Sequence, residues 1–255
     1  MTRFEDYKNR FKYIRLERKD GILEVTLHRD GGQAVWDVAE GGMHGQLAEA
    51  FYVIGRDPET KLIVLTHAGE CLFEKMETPN QRVTAEFWDR MLKEGKDMLL
   101  NLLDIDVPVI AAVNGNSFIH AELIALSDIV IAGEGARFAD KAHTYIGIPP
   151  SDGVHVIWTM LLGPNRGRHF LLTGAEIDAV EAQRLGVIAE IVPKQRALER
   201  AREIAGELAQ KPRLTLRYAR VSLTHHLKRR LVNDLGYGLA LEGLGVMSLM
   251  SSERG

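Results

Sequence analysis

Four residues stand out as able to move protons or hold charge: His120, His143, Asp152 and Glu242. Imidazole is the side chain whose ordinary pKa lies closest to neutrality, so a histidine can take a proton from water and return it within one reaction cycle. A carboxylate beside such a ring fixes its tautomer and stabilises the imidazolium that forms. Asp152 lies in the proline- and glycine-rich segment 147–153, whose turns can fold it back toward His143. Glu242 is singled out by helical phase. If residues 231–249 form one helix, Leu231, Leu235, Glu242, Val246 and Leu249 share a face, which sets a carboxylate within an apolar stripe. Glycines at 236, 238, 243 and 245 weaken that helix, so tertiary contacts must hold it.

Taken singly, each residue also has a structural reading. A histidine at the end of an element is commonly a satisfied structural group. Asp152 can cap a helix beginning near Val154, and Glu242 can be half of an ion pair. Glu122, near a helix start, is favoured there by the helix dipole. Trp36 can pack in the core or offer its indole N–H to a ligand, and His44 can lie at the surface. The histidines at 28, 67, 155, 169, 225 and 226 are read as structural or solvated, and no His-x-x-x-His pair marks a zinc site. The run Lys228-Arg229-Arg230 reads as a solvated helix face.

The elements that must position these residues alternate. Residues 13–18 and 22–28 form a β-hairpin about Asp20-Gly21. The apolar spacing of Met43, Leu47, Ala50, Phe51 and Ile54 predicts a helix over 42–54, followed by a strand at 62–66. A second round gives a helix over 85–103, a strand at 109–113, a turn at Asn114-Gly115, a short helix near 121–126 and a strand at 129–132. Residues 138–139 read as a short strand and 147–153 as a loop. Helices at 155–162, 165–172 and 178–185, a strand at 188–192 and a helical stretch from 196 onward complete an α/β chain. A boundary near Pro193 divides it into 1–193 and a helical region, 194–255.

The 32 basic residues nearly balance the 35 acidic ones, which leaves no net field to gather nucleic acid or anionic lipid. No run of eighteen apolar residues suggests a membrane span. A lone cysteine, Cys71, rules out an intramolecular disulfide and points to a reducing, cytoplasmic setting. The partner expected is a small neutral molecule or a second copy of the chain.

The string Val109-Ile-Ala-Ala-Val-Asn-Gly115, followed by Ala121-Glu-Leu-Ile-Ala-Leu-Ser-Asp-Ile-Val130, resembles the crotonase (enoyl-CoA hydratase/isomerase) superfamily. Phe138-Ala139, Gly147-Ile-Pro149, Leu171-Leu-Thr-Gly174, Ile191-Val-Pro193 and Lys211-Pro212 follow in the family's order. The resemblance implies a spiral of ββα turns enclosing two sheets, with a C-terminal helical oligomerisation region and a homotrimer or dimer of trimers. In thioester-binding members two backbone N–H groups hold the thioester oxygen. Here Leu72-Phe73-Glu74 and Ile119-His120-Ala121 stand at those two places, where bulky side chains obstruct a close backbone approach.

Within the superfamily the set His120, His143, Asp152 and Glu242, with Trp36 and His44, is similar to the β-diketone hydrolase subgroup, that of 6-oxocamphor hydrolase. That likeness implies hydrolytic retro-Claisen cleavage of a cyclic or bicyclic β-diketone to a keto acid, with water and neither cofactor nor metal. His143 is then the general base with Asp152 as its partner, His120 the donor to the enolate, and Glu242 the residue that closes the site. Trp36, His44, Phe73 and Glu122 are expected to meet the substrate. Two rivals remain: an acyl-CoA hydratase or isomerase, for which Glu122 aligns with a catalytic carboxylate, and a non-catalytic member that keeps the scaffold for binding.

Overall fold

The computed structural model describes residues 2–77 and 83–252, so the helical expectation for 253–255 lies outside the described residues. A short helix, α1 (Phe4–Tyr7), precedes the hairpin of β1 (Ile14–Lys19) and β2 (Ile22–Leu27). Asp20 and Gly21 both take positive φ, 54° and 81°, as the tight turn requires. The chain then repeats strand, strand, helix. The first turn is β2, β3 (Ala34–Asp37) and α2 (Met43–Ile54); the second is β4 (Leu62–His67), β5 (Leu72–Glu77) and α3 (Ala85–Asp104). In the third, β6 (Val109–Val113) leads through a single bridging residue, Ser117, to α4 (Glu122–Ala125). The fourth is β7 (Ile129–Gly133), β8 (Arg137–Phe138) and α5 (Lys141–Ile146). Helices α6 (Val154–Leu162) and α7 (Pro164–Thr173), then β9 (Ile177–Asp178), α8 (Ala179–Arg184), β10 (Glu190–Val192), α9 (Ala197–Leu208) and α10 (Arg213–Ser252) follow.

The leading strands of the turns form one six-stranded sheet in the order β1-β2-β4-β6-β7-β10, parallel except for the opening hairpin. The second strands build the other layer. There β3 pairs with β5, Leu72 bridges to Ser117, Ser117 bridges to Phe138, and β8 pairs with β9. β4 and β6 are buried along their whole length, as suits parallel strands covered on both faces. On one face Leu62, Val64, Ile110, Ala112 and Ile131 meet the alanines 197, 201 and 205 of α9; the larger core lies on the other.

Two polar contacts fix the elements that lead to the site. His67, at the end of β4, accepts from the Asn114 backbone N–H through Nε2 at 3.3 Å, and burial holds its pKa down at about 4, so the ring is neutral and able to accept. The buried Arg220 of α10 donates Nε to the Ile105 carbonyl at 2.7 Å and Nη2 to that of Leu102 at 3.0 Å, and it pairs with Asp128. These satisfy carbonyls at the end of α3, which its helix leaves open. They anchor α10, whose Leu231, Leu235 and Leu239 then pack into the main core. Among the described residues no helix is long and apolar enough to cross a membrane.

Candidate active site

The site gathers side chains from six named elements and two loops. His120 sits between β6 and α4 with φ at 51°, an uncommon backbone for a side chain of this size. Its ring stacks on the Trp36 indole of β3, with centroids 3.8 Å apart and planes 28° apart. Its Nδ1 is 2.7 Å from Oε1 of Glu122, leaving Nε2 for a ligand. Trp36 is in turn held edge-on by Phe73 of β5 and His44 of α2. His143, on α5, places Nδ1 2.8 Å from both carboxylate oxygens of Asp140, the residue that starts the helix.

Asp152 stands between the two imidazoles. Its Oδ2 is 3.5 Å from His120 Nδ1 and its Oδ1 is 3.4 Å from His143 Nε2, a pairing distance without an aligned hydrogen bond at Oδ1. The following Gly153 has φ of 114°, and a Cβ there would fall 2.3 Å from Leu99. Only glycine lets the chain turn at that point and aim the carboxylate inward. From the opposite side α10 brings Glu242, with Oε1 3.8 Å from His143 Nε2. The helix comes this close because Gly243 presents no side chain: a Cβ there would lie 2.2 Å from the Trp88 indole nitrogen.

Together these groups form one end of a cavity of about 230 Å³. Its remaining wall is apolar, with Met76, Phe87, Met91, Met98, Leu239 and Val246. Among the described residues neither lysine nor arginine lines it. A small neutral molecule with a few oxygens suits such a lining.

The enoyl-CoA hydratase/isomerase family model matches residues 17–241. The chain belongs to this family, the crotonase superfamily. Among solved structures, a β-diketone hydrolase from the cyanobacterium Anabaena sp. PCC 7120, bound to (S)-3-oxocyclohexyl acetic acid, is similar, with TM-score 0.92 and 41% identity over 96% of this chain and 98% of that one. A probable enoyl-CoA hydratase from Mycobacterium thermoresistibile aligns with TM-score 0.78 and 25% identity, covering 94% of this chain and 99% of that one. The carnitinyl-CoA dehydratase of Citrobacter koseri is 30% identical over 209 residues, 80% of this chain and 77% of that protein.

The charges of this crotonase site act strongly on one another. Burial pushes the His143 imidazole toward its neutral form, but Asp152 and Asp140 outweigh it and raise its pKa well above the ordinary 6.5. Burial is likewise outweighed at His120, where Glu122 and Asp152 push the pKa up to about 9. Asp152 feels the converse: burial would raise it, yet His143 and His120 hold it well below the usual carboxylate range. Glu242 is pushed up to about 8, first by burial and then by the charge of Asp152. Burial also raises Glu122 toward its neutral acid, while His120, 2.7 Å away, draws it back toward the carboxylate. At neutral pH the free site therefore holds imidazolium rings around an ionised Asp152, with a protonated Glu242 facing them.

Several expectations need correction. Asp152 does not cap α6; Gly153 occupies the cap position without a side-chain bond, because the Asp152 carboxylate has turned to the histidines. The carboxylate on His143 Nδ1 is Asp140, not Asp152. Phe73 and Glu122 do not line the cavity: Phe73 is fully buried behind Trp36, and Glu122 behind His120. His44 is not a surface residue; it is buried, lines the cavity, and bonds to Glu94 at 2.9 Å, which Arg90 also holds. Burial, only partly opposed by Glu94, lowers the His44 pKa.

Asp140, Glu94 and Arg90 were missed. The Asp-x-x-His spacing of Asp140 and His143 at a helix start was the available signal for the first. For the other two, an i, i+4 ion pair on α3 looks like an ordinary solvated helix face. The side chains also offer two possible metal-ligand sets, His120 with Glu122 and Asp152, and His143 with Asp152 and Glu242.

Proposed function

We propose that this crotonase hydrolyses a carbon–carbon bond between two carbonyls of a small cyclic or bicyclic β-diketone, a retro-Claisen cleavage giving a keto acid. The observation that carries this reading is the pair of imidazoles, His120 and His143, with centroids 6.3 Å apart across Asp152 at the polar end of an apolar cavity. The likeness to the Anabaena β-diketone hydrolase supports it.

In this reading the reacting form is the one in which His143 Nε2 is unprotonated while Asp140 retains the proton on Nδ1. Water gives a proton to Nε2 as its oxygen bonds to one carbonyl carbon. The adjoining C–C bond then breaks, and its electron pair becomes an enolate on the second carbonyl, whose oxygen accepts from His120. One such charged donor contributes about 3 kcal/mol of transition-state stabilisation. Glu242, protonated at neutral pH, delivers its proton to the enolate carbon and is recharged from His143 through one bridging water, which the 3.8 Å separation requires. The sum is one diketone and one water giving one keto acid, with the enzyme unchanged. Because the His143 pKa is raised, the rate falls with acid from above pH 6.5 rather than only below it.

The curated relatives favour a second reading, a CoA-thioester dehydratase or hydratase. The withdrawn Glu122 and the absence of cations along the described cavity wall count against it. The two separate on incubation with a bicyclic 1,3-diketone and, in parallel, with crotonyl-CoA. Loss of diketone absorbance that His143→Ala abolishes supports the hydrolase; turnover of the thioester alone replaces it, and inactivity on both leaves a binding protein. A cytoplasmic trimer or dimer of trimers belongs to the same proposal, supported by the apolar residues Leu214, Tyr218, Val221, Val232, Tyr237 and Leu244 exposed along α10.

A further inference from the structure

We infer that His143, Asp152 and Glu242 form a binding site for a four-coordinate divalent transition ion, Zn²⁺ being the best match, with the fourth position open to the cavity. The distances carry the argument. His143 Nε2 lies 3.4 Å from Asp152 Oδ1 and 3.8 Å from Glu242 Oε1, and the possible ligand atoms all fall within 4.8 Å of one another. These separations are too long for hydrogen bonds. The two distances from His143 are near the edge of a tetrahedron about a zinc ion, which is about 3.4 Å for metal–ligand bonds of about 2.1 Å.

The partners point the same way. Asp152 Oδ1 and Glu242 Oε2 are buried and make no hydrogen bond among the described residues, and Glu242 is only 6% exposed. Buried carboxylate oxygens left unpaired are costly, and a cation satisfies them. His143 Nδ1 is held at 2.8 Å by Asp140, which keeps the proton on Nδ1 and aims Nε2 at the two carboxylates, so that an entering ion has only the Nε2 proton to displace. A carboxylate behind a histidine in this way is the usual support of a zinc ligand. The neighbouring set around His120 fits less well, since His120 Nδ1 and Glu122 Oε1 are 2.7 Å apart, a hydrogen bond and too short for a tetrahedral edge. The three ligands come from α5, the loop before α6 and α10, which is why no local sequence spacing reveals them.

A bound ion occupies the nitrogen that must take the proton from water, so zinc and diketone hydrolysis exclude each other. That consequence alone rests on the proposed activity; the binding does not.

The test is made on the full chain after treatment with a chelator. Calorimetric titration with ZnCl₂ should show one ion per chain, and titration with CoCl₂ should give the intense visible bands of tetrahedral cobalt. Glu242→Gln and Asp152→Asn should each weaken zinc by more than about tenfold, with a metal-free melting curve confirming that each variant is folded. Glu122→Gln should leave zinc affinity unchanged. Absence of saturable binding, a six-coordinate cobalt spectrum, or loss of zinc in Glu122→Gln but not in Glu242→Gln overturns the site. Zinc binding in a chain that never turns over a diketone sinks the proposed activity and leaves the site standing; diketone turnover without zinc binding does the reverse.

Discussion

Replacing Asp140 by asparagine tests the organisation of the site most directly. Both carboxylate oxygens lie 2.8 Å from His143 Nδ1, and the two side chains are 2% and 3% exposed, so solvent does little to screen the interaction. Removing a unit charge centred about 4 Å from the ring, at an effective dielectric of about 20, is worth about 4 kcal/mol. The loss lowers the His143 pKa, since Asp140 is one of the charges that hold it up. The asparagine amide also donates to Nδ1, which drives the ring proton onto Nε2 and leaves no lone pair for water. By analogy with other His-carboxylate pairs whose acid is made an amide, kcat should drop by about 10⁴-fold, or about 5 kcal/mol of barrier. Turnover of a bicyclic 1,3-diketone from pH 5 to 10, together with imidazole nitrogen NMR for the tautomer, reads both effects. A variant within tenfold of the parent, with an unmoved acid limb, would falsify the role given to Asp140.

The Glu242 carboxyl is raised from 4.5 to about 8, so its contribution to stability is fully present below pH 4.5 and is lost as pH rises toward 8. Glu242→Gln should therefore become the more stable form with increasing pH, by on the order of 3 kcal/mol at neutrality; parallel urea-unfolding profiles at pH 5 and pH 8 would refute this. Gly243→Ala places a methyl 2.2 Å from the Trp88 indole nitrogen and should cost about 1–3 kcal/mol by overpacking. The same change lifts Glu242 away from His143, so a melting temperature and activity equal to the parent's would show that the close approach of α10 is unimportant. If α10 carries an assembly surface, light scattering should report a trimer or its double, and Leu244→Lys with Tyr218→Lys should shift it to smaller species; a monomeric parent ends that expectation.

Much of the fold is legible because it rests on local rules. Asp20-Gly21 names its own turn, and the unbroken apolar runs at 62–65 and 109–113 announce parallel strands buried on both faces. β3 escaped reading because four residues are too few for periodicity, and β5 because the charged residues Glu74, Lys75 and Glu77 interrupt its apolar ones. α5 escaped because it is six residues long and closes at Gly147, so the segment after Phe138 looked like strand and loop. Glu242 was visible, since helical phase alone set it on one face with Leu231 and Leu235, which are buried. The partners of the histidines were not. Nothing local tells His143 to choose Asp140 over Asp152, nor His44 to seek Glu94 fifty positions away. Those choices belong to the spiral, which sets separate turns side by side.

The face-to-face contact of Trp36 with His120 has an optical consequence. An indole 3.8 Å from an imidazole is close enough to transfer charge to that ring when it is protonated, and its emission is then quenched. His120 gives up that proton near pH 9, so the brightness of Trp36 should climb through the same range, and a ligand oxygen that retains the proton should delay the climb. The molecule thus carries its own dye at the spot where the enolate would form.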